Sequence, residues 1–161
     1  MPNTALHCAA HVGNWELVMR LLDDGADIET QGYKRYTALH VAAIFQQTGV
    51  LTVLLARGAN ASAKDTEGLT ALHHAAGEGH WKVVQILVVR GKADLEARDN
   101  DGNTPLHSAV MGSNAGVKGI PRVIKILLAS GADKEAHESS GYRPLELSIG
   151  PDWEEIEVLL E

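Results

Sequence analysis

The chain has 161 residues, 45% apolar and 22% charged, with a formal charge of −7 and one cysteine, Cys8. These values suit an ordinary globular domain and exclude a disordered chain, an internal disulfide framework, a membrane-spanning run of ~20 apolar residues and a basic face for nucleic-acid phosphates. With seven aromatic residues, and Phe45 the sole phenylalanine, the core must be built from Ala, Leu, Val and Ile.

In chain order, the first predicted helix opens at Thr4, Ala5, Leu6 and His7, and this tetrapeptide recurs. Thr37, Ala38, Leu39, His40 follow, then Thr70, Ala71, Leu72, His73, then Thr104, Pro105, Leu106, His107, at threonine spacings of 33, 33 and 34. A degraded copy, Arg143, Pro144, Leu145, Glu146, comes 39 residues later. Each threonine hydroxyl can cap a helix, and Pro105 stands where the first helical residue tolerates a missing N–H. Leu6, Ala9 and Ala10 fall on one face, with small alanines for close helix approach. Gly13 and Gly79 suit the left-handed ending of this first helix, whereas Gln46 holds the equivalent place, so that junction must be repositioned or strained by about 1–2 kcal/mol.

A second helix is predicted after each junction, from Leu17, Val18, Leu21 and Leu22 and then from Val50, Leu51, Leu54 and Leu55. The later copies use Val83, Val84, Leu87 and Val88, and Val123, Ile124, Leu127 and Leu128. Glycines 21 residues past the threonine (Gly25, Gly58, Gly91) close it, and Gly131 does so at 27. The fourth copy therefore carries six extra residues between its helices, and Gly112 to Gly119 reads as a flexible loop with fast amide exchange. Lys92 is an insertion after Gly91. Polar, Gly-containing stretches such as Ala59 to Leu69 read as projecting turns. A helix pair this small cannot bury its own apolar face, so neighbours must stack.

The pattern resembles the ankyrin repeat, with its period of 33 and T-P-L-H-x-A signature. The resemblance covers essentially the whole chain and implies an all-α solenoid of about five helix-turn-helix repeats with projecting β-turns, in a single domain. The expected units are 1–33, 34–66, 67–100, 101–140 with its insertion, and 141–161 as a degenerate C-terminal cap. Glu154, Glu155, Glu157 and Glu161 suit a polar end face. Arg20, where other copies have Val53, Ile86, Ile126 and Val158, suits a first unit.

No catalytic or metal constellation emerges. His7, His40, His73 and His107 are one repeated position, which the family resemblance reads as a structural hydrogen-bonding group. Zinc needs tight tetrahedral ligand sets, not equivalents spread one unit apart. Cys8 and His7, adjacent on a helix, point about 100° apart, a poor geometry for a nucleophile and its base. The Gly112 to Lys118 stretch has the wrong glycine spacing for a phosphate loop. Asn60, Ala61 and Ser62 form a glycosylation sequon that would matter in a secreted protein alone. The family's asparagine-hydroxylation position holds Glu29, Ser62, Glu96 and Glu135, so that modification is not expected. Trp15 and Trp81 read as core-edge packing. No enzyme activity, cofactor or metal is expected.

What remains is a binding surface, which the resemblance places on the projecting turns and the exposed side of the first helices. Ala5, Cys8, Val12, Ala38, Val41 and Phe45 make that side apolar in the first two units. Ala71, His74, Glu78, Pro105, Ser108 and Gly112 make it more polar further on. The first turn carries Tyr33, Lys34, Arg35 and Tyr36, aromatic and cationic chemistry of the kind that dominates interface hot spots. Leu69 is the next tip residue. Formal charges by unit are −4, +3, −1, 0 and −5, so the one cationic unit carries this turn. The expected site is Tyr33, Lys34, Arg35, Tyr36, Val41, Phe45, Leu69 and His74. The expected partner is a protein presenting an apolar contact and an acidic group, bound by an intracellular monomer that neither holds nucleic acid nor inserts in membranes. The expected role is a scaffold, adaptor or targeting module; the alternative is a stoichiometric inhibitor of a kinase or transcription factor.

Overall fold

The computed structural model describes residues 2–114, 117–148 and 153–160. Eight helices form four antiparallel pairs: α1 (Ala5–Val12) with α2 (Trp15–Asp23), α3 (Ala38–Ile44) with α4 (Thr48–Ala56), α5 (Ala71–Gly77) with α6 (Trp81–Val89), and α7 (Pro105–Asn114) with α8 (Ile120–Ala129). A short 3₁₀ turn at Pro144–Leu147 stands where a fifth first helix would begin, and α9 (Trp153–Leu160) follows. First helices pack on first helices and second on second, α1 to α3 to α5 to α7 and α2 to α4 to α6 to α8. The chain is thus the stack that its periodicity implied.

Stacking puts equivalent residues in consecutive core layers. Leu6, Leu39, Leu72 and Leu106 are buried, as are Ala10, Ala43, Ala76 and Val110 beneath them. Val18, Leu51, Val84 and Ile124 line up on the second helices, joined by Leu54, Leu87 and Leu127. The core is one continuous aliphatic slab, without a single buried phenyl or indole ring among the described residues.

The repeated Thr and His pair fastens each unit to the next. Thr37 N–H lies 3.2 Å from His40 Nδ1 and the Thr37 hydroxyl 2.9 Å from it. His40 Nε2 reaches the Leu69 carbonyl of the following turn at 3.2 Å. A carbonyl can only accept, so Nε2 carries the proton and Nδ1 accepts from Thr37. His7, His73 and His107 repeat this with the carbonyls of Tyr36, Asn103 and Tyr142 at 2.8, 3.0 and 3.2 Å. Burial holds the His40 pKa down at about 4, and burial lowers those of His73 and His107 as well. A second set of cross-unit bonds caps the first helices. Gln47 Nε2 donates to the His11 carbonyl and His80 Nε2 to the Ile44 carbonyl, each at 3.0 Å, satisfying C-terminal groups that a helix leaves open.

Two junctions depart from the glycine rule. Gln46 closes α3 at φ 55°, where Gly13 and Gly79 stand at 79° and 68°, so the anticipated strain is present. The lengthened fourth junction differs from the loop expected over Gly112 to Gly119. Helix α7 continues through Gly112, Ser113 and Asn114, absorbing part of the extra length, and Gly119 turns the chain into α8. Gly112 acts here as a contact residue: a Cβ on it would lie 2.2 Å from the Gly77 carbonyl oxygen, so its smallness lets α7 close on α5. Ala115 and Gly116 of that expectation fall outside the described residues.

Candidate protein-binding site

The projecting turns form one continuous edge. Thr66 N–H donates to the Lys34 carbonyl, Asn100 N–H to that of Glu67 and Ser139 N–H to that of Asp101, at 2.9–3.0 Å. In three turns an acidic residue, Asp65, Asp99 or Glu138, accepts from backbone amides of its own turn. The first turn has Gly32 in that place. Asn3 stands where a preceding turn would supply a carbonyl, and its Oδ1 accepts from Tyr33 N–H at 3.1 Å. A Cβ on Gly32 would lie 2.5 Å from that oxygen.

The same turn is strained. Gly68, Gly102 and Gly141 take φ of 78°, 82° and 89°, and the residue in register with them is Arg35, at 61°. Lys34 beside it also has a positive φ, 51°. Left-handed backbone at a non-glycine residue costs about 1–2 kcal/mol. Lys34 Nζ pairs with Glu67 Oε1 at 2.9 Å, a contact that raises the lysine pKa, and Arg35 Nε donates to Gln31. The cations project from the tip but already have partners within the chain.

Below this turn lies an open groove of about 570 Å³ between α1 and α3. Cys8 and Val12 form one wall, Phe45 the other, and Tyr33 and Tyr36 close the end under the tip. Val12, Tyr33 and Phe45 are 68%, 62% and 48% exposed, a concentration of large apolar surface on one feature. His11 meets the Phe45 ring edge-on at 4.2 Å between centroids and holds it upright. Tyr36 stacks on the buried His40 at 5.8 Å, and burial pushes its hydroxyl pKa up, so it remains a neutral phenol.

Four of the eight expected site residues, Tyr33, Tyr36, Val41 and Phe45, line this one groove, and Lys34 and Arg35 stand on the turn above it. Val41 requires a correction. It is 7% exposed and forms the floor, because α1 packs across that side of α3, and Ala38 is fully buried for the same reason. Leu69 and His74 lie elsewhere, in a second open groove of about 460 Å³ between α5 and α7. His74 Nε2 is 2.8 Å from Oδ2 of the buried Asp65, so the ring braces its own turn. Asn3 and His11 belong to the first groove and were not anticipated. Asn3 is thirty residues from its partner, and the position of His11 near the groove follows only from how α1 meets α3.

The Trp81 ring is engaged within the chain: Arg122 lies 3.5 Å over it. No group of three or more His, Cys, Asp or Glu among the described residues is placed to hold a metal ion, and none of the described helices is long and apolar enough to cross a membrane.

Comparison with known proteins agrees with this architecture. The family model for ankyrin repeats, three copies, matches residues 1–65 and 49–138. A segment of 85 residues is 34% identical to zinc finger CCCH domain-containing protein 24 of Oryza sativa subsp. japonica, covering 52% of this chain and 11% of that protein. Protein phosphatase 1 regulatory subunit 27 is 38% identical in Homo sapiens and 36% in Mus musculus, each over 78 residues, 48% of this chain and 46% of theirs. The similarity thus spans less than half the length of each of these relatives. Stacked helix pairs, the Thr and His fastening and the matched family model together place the chain in the ankyrin-repeat family, whose repeats are protein-interaction modules.

Proposed function

We infer that the chain is a non-catalytic protein-recognition module, an adaptor or targeting domain that holds a protein partner on the groove over its first two units. The observation that carries this reading is the clustering of exposed Val12, Tyr33 and Phe45 beneath a strained cationic turn. Exposed apolar patches of this kind mark interaction sites, and backbone strain concentrates where side chains serve a purpose other than stability. The Lys34–Glu67 pair is exposed and screened by solvent, so it holds the lysine only weakly. A partner's carboxylate can replace Glu67 at little cost, so the turn suits an acidic group beside an apolar anchor. The lone cysteine suits a reducing compartment for this role. Binding of an isolated partner to the Tyr36→Ala and Phe45→Ala variants tests the assignment: each is expected to lose at least tenfold in affinity, and wild-type affinity in both contradicts it.

A second reading, a stoichiometric inhibitor, draws on the name of one relative matched in two mammals, a regulatory subunit of protein phosphatase 1. On that reading the partner is an enzyme or transcription factor whose activity binding suppresses. Stoichiometric, Phe45-dependent loss of activity in phosphatase or kinase assays supports it; binding without any change in activity leaves the adaptor role.

A further inference from the structure

The two grooves differ in chemistry. No acidic residue lines the first, and Lys34 and Arg35 stand above it. The second has Glu78, Asp99 and Asp101 along it and neither lysine nor arginine. The Asp99 carboxylate is occupied by the backbone of its own turn and by Asn103. Glu78 and Asp101 are exposed, and among the described residues their carboxylates form no ion pair. The floor between them is apolar, with Leu69 and the 41% exposed Met111. A third groove continues past Met111 and Asp101 toward Glu138 and Tyr142. Between the two grooves Tyr36, which lines the first, meets His74, which lines the second, edge-on at 5.4 Å. That contact sets the two grooves side by side along the stack.

Resting on the groove assignment above, we propose that the occupant is one extended peptide segment that seats a bulky apolar side chain against Val12 and Phe45 and places a lysine or arginine in the second groove, within reach of its exposed Glu78 or Asp101 carboxylate. Packed helices lie about 8–10 Å apart, so two units separate the contacts by about 20 Å. An extended chain covers this in about six residues at ~3.3 Å each. The segment is dipolar, its carboxylate on the anchor's side facing Arg35 and its cation on the other. The net charge of −7 adds long-range attraction for the basic end.

The probe is a random peptide library of about twelve positions, displayed and selected on the full chain, with enriched sequences resynthesised for fluorescence-anisotropy titration. Selected peptides are expected to carry a large apolar residue and a Lys or Arg five to seven positions apart. Affinity should fall at least tenfold with Phe45→Ala and at least tenfold with the double variant Glu78→Gln/Asp101→Asn. Replacing the peptide's cation by alanine should weaken binding to the wild type and not to that double variant. Cys8, the chain's one thiol, lines the first groove, so its alkylation should slow when the peptide is bound. If the double variant binds like wild type while Phe45→Ala fails, the dipolar segment is overturned and the groove assignment stands. If peptides bind both variants normally and leave Cys8 alkylation unchanged, both are overturned.

Discussion

Acidification offers a direct test of the histidine fastening. His40 is 1% exposed, with Nδ1 accepting from Thr37 and Nε2 donating to Leu69. A second proton on Nδ1 would face the Thr37 N–H that now donates to it and would put a charge in a buried site. Its pKa falls from an ordinary 6.5 to about 4, chiefly through burial and secondarily through His74. Above pH 7 the ring is neutral in both folded and unfolded chains and contributes no pH dependence. Between 6.5 and 4 only the unfolded chain takes up the proton, so stability falls as pH falls, by about 1.4 kcal/mol per unit. The whole loss is about 3 kcal/mol and is complete below pH 4. His73 and His107 shift in the same direction, which steepens the fall. Urea unfolding at several pH values, comparing wild type with His40→Gln, isolates the His40 share because the remaining carboxylates and histidines cancel. The variant should be less stable at pH 7, with the gap narrowing by about 3 kcal/mol toward pH 4. Parallel curves would refute the tautomer and burial argument.

Further outcomes follow from the strained turn, the core and the close helix approach. Arg35→Gly relieves a left-handed backbone at φ 61° and should raise stability by about 0.5–1 kcal/mol once unfolded-chain freedom is counted, read by thermal denaturation. Leu54→Ala, at a fully buried site, should cost about 3 kcal/mol, whereas Phe45→Ala, nearly half exposed, should cost less than about 1.5 kcal/mol. Equal losses would mean that Phe45 serves the fold. Gly112→Ala drives a methyl to 2.2 Å from the Gly77 carbonyl and should destabilise by about 1–3 kcal/mol; a neutral result would mean that α5 and α7 are not so close.

The repeat was plain in the sequence because each unit spells out its own local chemistry. Threonine and histidine three residues apart are needed for a bond between side chain and backbone, and glycine is favoured where φ is positive. Strain at Gln46 was legible for the same reason, since its sisters at that register are Gly13 and Gly79. The residues missed depend on where one helix meets another. Val41 looked outward on an isolated helix and lies on a floor once α1 crosses it. Gly112 looked like a loop breaker, yet its missing side chain admits a neighbouring backbone. Asn3 replaces the carbonyl of a preceding turn, a substitution visible only when residue 3 and residue 33 are seen together. His74 shares the exposed helix side with Glu78 in sequence register, but Asp65 draws it back onto the turn.

Quantitative affinity capture is the most direct measurement of the central claim that biology acts through the groove under Tyr33 and Tyr36. Wild type, Tyr36→Ala and Phe45→Ala are compared by mass spectrometry with Val89→Ala, a 70% exposed apolar residue on a second helix, as control. The account predicts at least one protein retained by wild type and Val89→Ala and depleted tenfold or more by both groove variants. Identical capture by all four chains would contradict it.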